Sequence, residues 1–486
     1  MSFKPSKIVL IVLLFFAIFT RFYKLNWSND YYFHPDENNM AMSLSQLTPK
    51  DLNPHFFAYG QFPLYLGYFS LRLLNLPNTM ANSILILRFY SALFSFLSLY
   101  FFYKTFPNIY FIILLIFTPG LIQLAHFGTT ESLLILVFII NLFLSKLLLE
   151  KVKYKYIFWA TVISAVGIST KISALFFVLP ILLTLFLKKS WSIIPYLFFT
   201  FIFSLFLSPY NLISFPEFLS SMRYETAVAS GALPVFYTQQ FSKTIPYLFQ
   251  FTHIFPYVVG LPVFIFSFFS FKKIKDIFKN KFNFIVFIST FLYFLYFAQL
   301  YVKWTRFMSP IFFIFPLLAS LFIKRFPRLI FLAILPGCFF IINYFKTDTR
   351  ILASNYLTNN LPPNSTLLSE SGNVTSLPLG ISDINTIDYD FYNDNYSPNE
   401  LAQILTKSNY ILVPSRRVFK NYSFPYHQNL FNGELGFSIK KVFQPFPDFL
   451  LNSENAEETW TVFDRPTLRL YQKNKPFSAD DYEKIL

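Results

Sequence analysis

The sequence is dominated by apolar runs of about 16 to 20 residues, separated by short polar or basic stretches. Runs of about this length form helices that cross a bilayer core of roughly 30 Å. We predict transmembrane helices near residues 7–20, 84–103, 108–125, 131–149, 156–170, 172–187, 191–208, 255–271, 283–299, 307–323 and 328–345. Only 13% of the residues are charged, against roughly 25% in a soluble protein. The chain is therefore predicted to be a polytopic α-helical membrane protein with about eleven transmembrane helices.

The basic residues predict which side of the membrane each loop occupies. Lys and Arg cluster in short loops between the apolar runs, at 151–155, 188–189, 271–281 and 324–328. Such loops are typically cytoplasmic. All four share the cytoplasmic side if the N-terminus is also cytoplasmic and the short run 61–76 lies in the outer interface instead of spanning. The net charge of +15 is then explained by topology, which argues against nucleic acid as a partner, and the C-terminus lies outside.

The two ends of the chain differ in character. The first 26 residues resemble a signal peptide, but no small-residue cleavage site follows, so we predict a retained first helix. From about residue 346 the composition becomes polar. There, 397–408 is predicted to be a helix, and the stretches "NYILVPS", "FSIKKVF" and "LRLYQK" are predicted strands. The domain organisation is thus a membrane domain, 1–345, and a soluble extracytoplasmic α/β domain, 346–486.

Charged residues are predicted to collect on the outer face at the ends of different helices. The acidic members are Asp36 and Glu37 in "YYFHPDENNM" and Glu131 in "AHFGTTESL". His34, Lys171, Lys303, Arg306 and Arg88 are placed on the same side. Carboxylates near a membrane surface are costly to desolvate and mark functional sites. The alternative for Asp36 and Glu131 is helix capping, and for each cation it is headgroup anchoring.

This combination of groups suits one kind of chemistry. Cations on an outer membrane face can hold the phosphate of a lipid carrier. A carboxylate beside them can deprotonate an acceptor hydroxyl or amine. Together these meet the requirements of glycosyl transfer from a lipid-phosphate sugar, in which the cations stabilise the departing phosphate.

The order of several motifs carries a family resemblance. The stretches "RFYKL", "YYFHPDENNMAMS", "NPHFFAYGQFPLYL", "AHFGTTESLLIL", "GISTKISAL" and "YVKWTRFMSPIFFIFPLLA" resemble the phospholipid-carrier-dependent glycosyltransferases of the GT-C superfamily. This superfamily includes dolichyl-phosphate-mannose protein mannosyltransferases and lipid A aminoarabinose transferases. The resemblance extends over nearly the whole chain, to "AEETWTVFDRPTLRLYQK" near its end.

The resemblance implies roles for individual residues. Asp36 matches the catalytic base, and Glu37 matches an acidic neighbour that orients the acceptor or assists at a metal. Glu131 stands where the second outer loop of the family often has Asp. Lys303 and Arg306 are the closest matches to donor-phosphate ligands, with Lys171 and Arg88 as further candidates. Some relatives bind a divalent metal and others do not, so a metal held by His34, Asp36 and Glu131 stays open.

The expected function is that of an inverting glycosyltransferase in a prokaryotic cell membrane. Its donor would be a polyprenyl-phosphate sugar, and its acceptor an extracytoplasmic protein, lipid or glycan. Two alternatives are a transporter or flippase of the lipid carrier and a non-catalytic membrane scaffold. A transporter should carry charges in mid-helix and paired broken helices, whereas the acidic residues here lie at the ends of predicted helices.

Overall fold

The computed structural model describes residues 6–29, 31–270, 280–370, 384–391, 397–416 and 425–486. In the first half of the chain the α-helices are α1 (Lys7–Phe22), α2 (Pro35–Gln46), α3 (Phe62–Leu73), α4 (Met80–Thr105), α5 (Ile109–Ile116), α6 (Pro119–His126), α7 (Glu131–Glu150), α8 (Tyr154–Ile168), α9 (Leu179–Leu187), α10 (Ile193–Leu207), α11 (Tyr210–Ile213) and α12 (Phe215–Ser230). The later helices are α13 (Phe255–Val258), α14 (Leu261–Phe269), α15 (Lys281–Ala298), α16 (Ile314–Ile323), α17 (Leu329–Phe345), α18 (Thr349–Asn360), α19 (Pro398–Lys407), α20 (Pro425–Phe431), α21 (Thr459–Val462) and α22 (Ala479–Ile485).

Helices suited to a membrane make up most of the chain up to α17. Among the described residues, α4, α7 and α15 are each long and apolar enough to cross a bilayer by themselves. Four further candidates are pairs of shorter helices bent by 40° or more, and α8, the 172–187 stretch and α10 are shorter apolar helices. The fold is thus helical with candidate membrane spans, while the predicted number of about eleven is not confirmed. Most of the predicted basic loop 271–281 lies outside the described residues.

Several predicted spans are broken where proline occurs. The predicted span 108–125 is two helices, α5 and α6, which meet at 53° with Pro119 at the start of α6. Proline lacks the backbone N–H that a continuous helix requires at that point. The buried Arg21 stabilises the bend between α5 and α6, because its guanidinium donates to the carbonyls of Leu115 and Ile116 at the end of α5, both at 2.9 Å. The predicted span 307–323 is similarly a 3₁₀ helix, Thr305–Ile311, followed at 52° by α16.

The short run 61–76 forms α3, which is not among the candidate spans of the described residues. Leu64 and Leu71 on one face of α3 are buried against Leu44 of α2 and Leu87 of α4. Exposed apolar side chains, including Phe69 and Leu73, lie elsewhere on the same helix. This amphipathic packing beside α2 fits the predicted interfacial helix.

Five strands within the described residues form one sheet after α17. They are β1 (Thr366–Glu370), β2 (Asn385–Tyr389), β3 (Tyr410–Val413), β4 (Phe437–Phe443) and β5 (Leu468–Lys473), in the order β2-β1-β3-β5-β4. The β2-β1-β3 part is parallel, and β5 is antiparallel to both of its neighbours. The predicted strands β3, β4 and β5 and the predicted helix α19 are confirmed, whereas β1 and β2 were not predicted.

Apolar side chains cover both faces of this sheet. On β3, Ile411 and Val413 pack with α19, whereas Tyr410 and Leu412 pack with α18. This alternation follows from the two-residue period of a strand. Together α17 and α18 form one of the four bent candidate pairs. Because α18 buries Ala353 and Leu357 against the sheet, we assign it to the C-terminal α/β unit and only α17 to the membrane domain. The proposed boundary near residue 346 then falls between α17 and α18.

Candidate functional site

The first turn of α2 contains the two adjacent carboxylates, which face different surroundings. His34 is the residue before the helix, and its Nδ1 accepts a hydrogen bond from the Glu37 backbone N–H at 3.5 Å. Capping at this end therefore comes from His34, so the carboxylates are available for other contacts. Since successive helix residues are rotated by about 100°, Asp36 and Glu37 point to different partners.

Glu37 is fully buried in an ion pair with Arg88 of α4. The Arg88 Nη2 donates to Oε2 at 2.6 Å, and its Nε donates to Oε1 at 3.0 Å. The Gly128 N–H also donates to Oε1, at 2.6 Å. A side chain at Gly128 would collide with α4, since an added Cβ would lie 2.9 Å from Leu87. Glu37 thus joins α2, α4 and the α6–α7 connection.

Asp36 instead faces Arg306, which lies 270 positions further along the chain. The Arg306 Nη1 donates to Asp36 Oδ2 and also to the Tyr59 hydroxyl, the latter at 3.2 Å. The two charged side chains are partly accessible, with exposed fractions of 19% for Asp36 and 24% for Arg306. The Arg306 Nε has no hydrogen-bond partner among the described residues. This ion pair therefore retains donors that can bind another group.

A second ion pair lies next to the first. The Lys171 Nζ contacts Glu131 Oε1 at 3.3 Å. Its ammonium also lies 4.9 Å from the centre of the Tyr59 ring, so Tyr59 stands between the two pairs. Glu131 is the first residue of α7, and Thr130 occupies the capping position. The predicted residues Asp36, Glu131, Lys171 and Arg306 thus form one cluster with Tyr59 at its centre.

A small cavity of about 30 Å³ opens onto this cluster. It is lined by His34, Asp36, Gln123, Leu124, Phe127, Thr129, Glu131, Thr305, Arg306, Thr459 and Phe463. Thr459 and Phe463 belong to a segment close to the end of the chain. The acidic and basic groups therefore meet in a site to which distant parts of the sequence contribute.

The charges around Asp36 keep it ionised. Burial by itself raises the pKa of Asp36, but Arg306, His34 and Lys171 together outweigh it and lower that pKa below its ordinary value. Glu225 of α12 also acts on this cluster, and burial raises its pKa despite the opposing effect of Arg306 and Lys171. Asp36 is thus a carboxylate across the neutral range, while Glu225 holds a proton more readily than an exposed glutamate does.

The remaining predicted residues have other contacts. Lys303 is buried, and its ammonium donates to the Tyr301 carbonyl at 2.9 Å. No ion pair of the described residues includes Lys303, and Arg88 forms its ion pair with Glu37.

Among the described residues there is no group of three or more His, Cys, Asp or Glu side chains arranged to hold a metal ion. The three proposed metal ligands have other partners. His34 accepts from the Glu37 N–H, Asp36 pairs with Arg306, and Glu131 pairs with Lys171.

Several contributors to the site were not predicted as site residues, among them Tyr59, Glu225 and the 453–465 segment. Tyr59 lies in "NPHFFAYGQFPLYL", where nothing distinguishes it from the other aromatic residues. Glu225 was noted only as one charge of a long polar loop. In the 453–465 segment, the adjacent glutamates Glu457 and Glu458 of "SENAEETW" lie directly before the short helix α21 and are the signal that could have indicated it.

Comparison with known proteins identifies similar folds among solved structures only. No protein-family model and no curated protein matches the sequence. The structure of ArnT from Cupriavidus metallidurans bound to undecaprenyl phosphate matches with 12% identity and a TM-score of 0.44, over 95% of this chain and 96% of that chain. ArnT in the apo state matches with 17% identity and a TM-score of 0.43, and the match spans 74% of this chain but only 65% of that one.

A second protein is similar at the same level. The oligosaccharyltransferase of Archaeoglobus fulgidus in the apo form matches with 11% identity and a TM-score of 0.45, over 83% of this chain and 69% of that one. Both proteins are GT-C glycosyltransferases, the class that the sequence motifs resemble. At this identity and TM-score, the matches carry no argument about activity.

Proposed function

We propose that the chain is a membrane glycosyltransferase that moves a sugar from a polyprenyl-phosphate carrier to an extracytoplasmic acceptor, with inversion at the anomeric carbon. The observation that carries this proposal is the ionised Asp36 held against Arg306 beside a small cavity, with the Lys171–Glu131 pair adjoining it. The acceptor is a protein, lipid or glycan with a free hydroxyl or amine.

In this proposal Asp36 is the general base. It takes the proton from the acceptor as the acceptor atom attacks the anomeric carbon of the sugar. The bond between that carbon and the phosphate oxygen breaks, and its electron pair leaves with the polyprenyl phosphate. A single displacement of this kind inverts the anomeric centre, as in other glycosyl transfers assisted by a carboxylate base.

Arg306 and Lys171 would bind the donor phosphate. The Arg306 guanidinium has donors beyond the one that contacts Asp36, and charge-assisted hydrogen bonds to a phosphate are strong. Both cations also stabilise the negative charge that develops on the leaving phosphate. Glu131 then keeps Lys171 charged and oriented. We propose that Glu37 and Arg88 maintain the fold around the site instead of contacting substrate.

Of the two alternatives, the described contacts argue against the scaffold, whereas the flippase has to be separated by experiment. A scaffold has no need of an accessible carboxylate paired with a partly unsatisfied arginine. Bent helix pairs are present and are a feature of transporters.

The deciding assay supplies the purified protein with radiolabelled sugars on defined polyprenyl phosphates and membrane extracts, and identifies the labelled product. Carrier movement across vesicles without formation of any labelled product would favour a flippase.

We predict that Arg306→Ala and Lys171→Ala weaken donor binding more than acceptor binding. A hydrogen bond to a charged group contributes roughly 1.5 to 3 kcal/mol, so each loss should raise the apparent donor constant about tenfold or more. Arg306→Ala should also move the acidic limb of the pH–rate profile upward, because burial then dominates the pKa of Asp36. Lys303→Ala should have a smaller effect, since Lys303 lies outside both ion pairs of the cluster.

The matched control for these variants is Arg223→Ala. Arg223 is an exposed cation of α12 outside the ion pairs of the described residues. Donor titrations of the purified proteins at constant acceptor make the comparison. Equal donor constants for Arg306→Ala, Lys171→Ala and Arg223→Ala would remove both cations from the phosphate site.

We further predict that the site and the C-terminal sheet lie on the non-cytoplasmic side. In a Cys338→Ala background, single cysteines would replace Met42 of α2 or Glu434 before β4, both of which are exposed. A membrane-impermeant thiol reagent added from outside should label both. A cysteine at Lys153, in the basic 151–155 loop, should be labelled only after permeabilisation. Labelling of Lys153→Cys from outside would reverse the proposed topology.

A further inference from the structure

A buried glutamate near the end of the chain contacts the residue before Arg306. Glu457 is fully buried, and its Oε2 accepts from the Thr305 backbone N–H at 3.1 Å and from the Thr305 hydroxyl at 2.8 Å. Its Oε1 accepts from Gln240 Nε2 at 2.9 Å and from the Thr459 N–H at 3.2 Å. One carboxylate thus connects the 453–465 segment, the 3₁₀ helix that carries Arg306 and a connection following α12.

The partners of Glu457 require a carboxylate. The N–H groups of Thr305, Gln240 and Thr459 can only donate, and they approach both oxygens. A glutamine has one acceptor oxygen and one donor nitrogen. Whichever way its amide is turned, its NH₂ group faces an N–H donor, and a buried donor is left without a partner at a cost.

The position of Glu457 bears directly on the Asp36–Arg306 pair. Thr305 is the first residue of the 3₁₀ helix Thr305–Ile311, and Arg306 follows it. Fixing the Thr305 backbone therefore fixes where the Arg306 side chain begins. Thr305 and Thr459 also line the cavity beside Asp36. The contact thus lies between the end of the chain and the site.

The C-terminal unit holds the 453–465 segment in turn. Arg416, shortly after β3, donates to the carbonyls of Ala456 at 2.9 Å and Glu457 at 2.8 Å. Further along the segment, Trp460 Nε1 and Arg465 Nη1 donate to the carboxylate of Asp448 at 2.8 and 2.9 Å. These hydrogen bonds connect the segment that carries Glu457 to the C-terminal unit.

We infer that Glu457 is a positioning residue through which the C-terminal α/β unit sets the Asp36–Arg306 pair for catalysis. This inference rests on the proposed glycosyl transfer. On this inference, the C-terminal unit lies beside the active site and also determines, through Glu457 and Thr305, where Arg306 is placed in it.

The test compares Glu457→Gln with Glu454→Gln in the full-length protein. Glu454 lies in the same segment but pairs with Arg469 at 2.7 Å and has no contact with Thr305 among those described. Small misplacements of a catalytic group lower rates by up to roughly 100-fold. We expect Glu457→Gln to lower the single-turnover rate about 10- to 100-fold and to shift the acidic limb of the pH profile upward. Glu454→Gln should do neither.

Hydrogen–deuterium exchange reports the contact independently of activity. The Thr305 amide donates to Glu457, so Glu457→Gln should speed exchange in a peptide covering 303–309. If Glu457→Gln fails to fold, Thr305→Val and Thr305→Ser carry the test without changing Glu457. Valine removes the hydroxyl donor and should lower the rate, whereas serine retains the donor and should restore most of it.

The outcomes separate this inference from the proposed function. Absence of any labelled product from the wild-type protein with every polyprenyl-phosphate donor would overturn the proposed function whatever Glu457 does, whereas normal transfer by Asp36→Asn would overturn only Asp36 as the base. A second outcome is that Asp36→Asn loses transfer while Glu457→Gln keeps a normal transfer rate, pH profile and hydrogen–deuterium exchange. That outcome would overturn only the positioning role of Glu457. Slow transfer in Glu457→Gln with faster exchange at 303–309 supports the inference.

Discussion

Asp36→Asn should lower the single-turnover rate of sugar transfer by about 10²- to 10⁴-fold, the usual contribution of a general base. Asparagine keeps the shape of the side chain but cannot accept the acceptor's proton. The helix start should be unaffected, because His34 caps α2. Donor binding should largely persist, since Arg306 and Lys171 remain. The measurement is single-turnover transfer by the purified variant, with thermal unfolding and donor binding followed in parallel.

The control for this prediction is the same substitution at an exposed site. Asp51 accepts a hydrogen bond from the Asn53 N–H, which asparagine can also accept, so Asp51→Asn should transfer normally. Near-normal transfer by a folded Asp36→Asn protein would contradict the catalytic assignment. Glu131→Gln and Glu225→Gln would then show whether another carboxylate of the cluster is the base.

Removing one member of the Glu37–Arg88 pair should destabilise the fold more than it changes the chemistry. Both side chains are almost completely inaccessible, and the pair is bidentate. Breaking a buried ion pair by removing one partner costs about 3 to 5 kcal/mol in unfolding free energy, because the other charge stays buried without compensation. Arg88→Met and Glu37→Gln should therefore lower the thermal unfolding midpoint strongly.

A double-mutant cycle and a surface pair provide the comparison. Glu37→Gln combined with Arg88→Met removes both charges, so it should be less destabilised than the sum of the single variants. Glu217→Gln removes the charge from the exposed contact with His55, and exposed pairs are worth only about 0.2 to 1 kcal/mol. The contrary result is that the Glu37 and Arg88 variants unfold at midpoints as close to that of the wild type as the midpoint of Glu217→Gln is. Such a result would show that the buried pair does not stabilise the protein.

The site was partly predictable from the order of charges at helix ends. Glu131, Lys171 and Arg306 each adjoin a predicted span, and Asp36 lies in the polar stretch that follows the first one. A helix that ends at the outer face leaves its polar flank there. The position of a charged residue in the sequence indicates the membrane face on which it lies, but not the residue that it contacts. Arg88 and Lys303 were therefore grouped with the same site, whereas Arg88 contacts Glu37 and Lys303 contacts a backbone carbonyl.

The sequence by itself determined the helical character of the chain and three strands of its C-terminal sheet, because hydrophobic period and proline act locally. Only the tertiary structure decided which of two adjacent carboxylates faces the proposed site. One residue of helical rotation separates Asp36 from Glu37, and their partners lie 270 and 51 positions away. No local pattern records contacts over such separations. They are set by how the helices pack, and in that packing Glu37 is buried against Arg88 while Asp36 remains accessible beside Arg306.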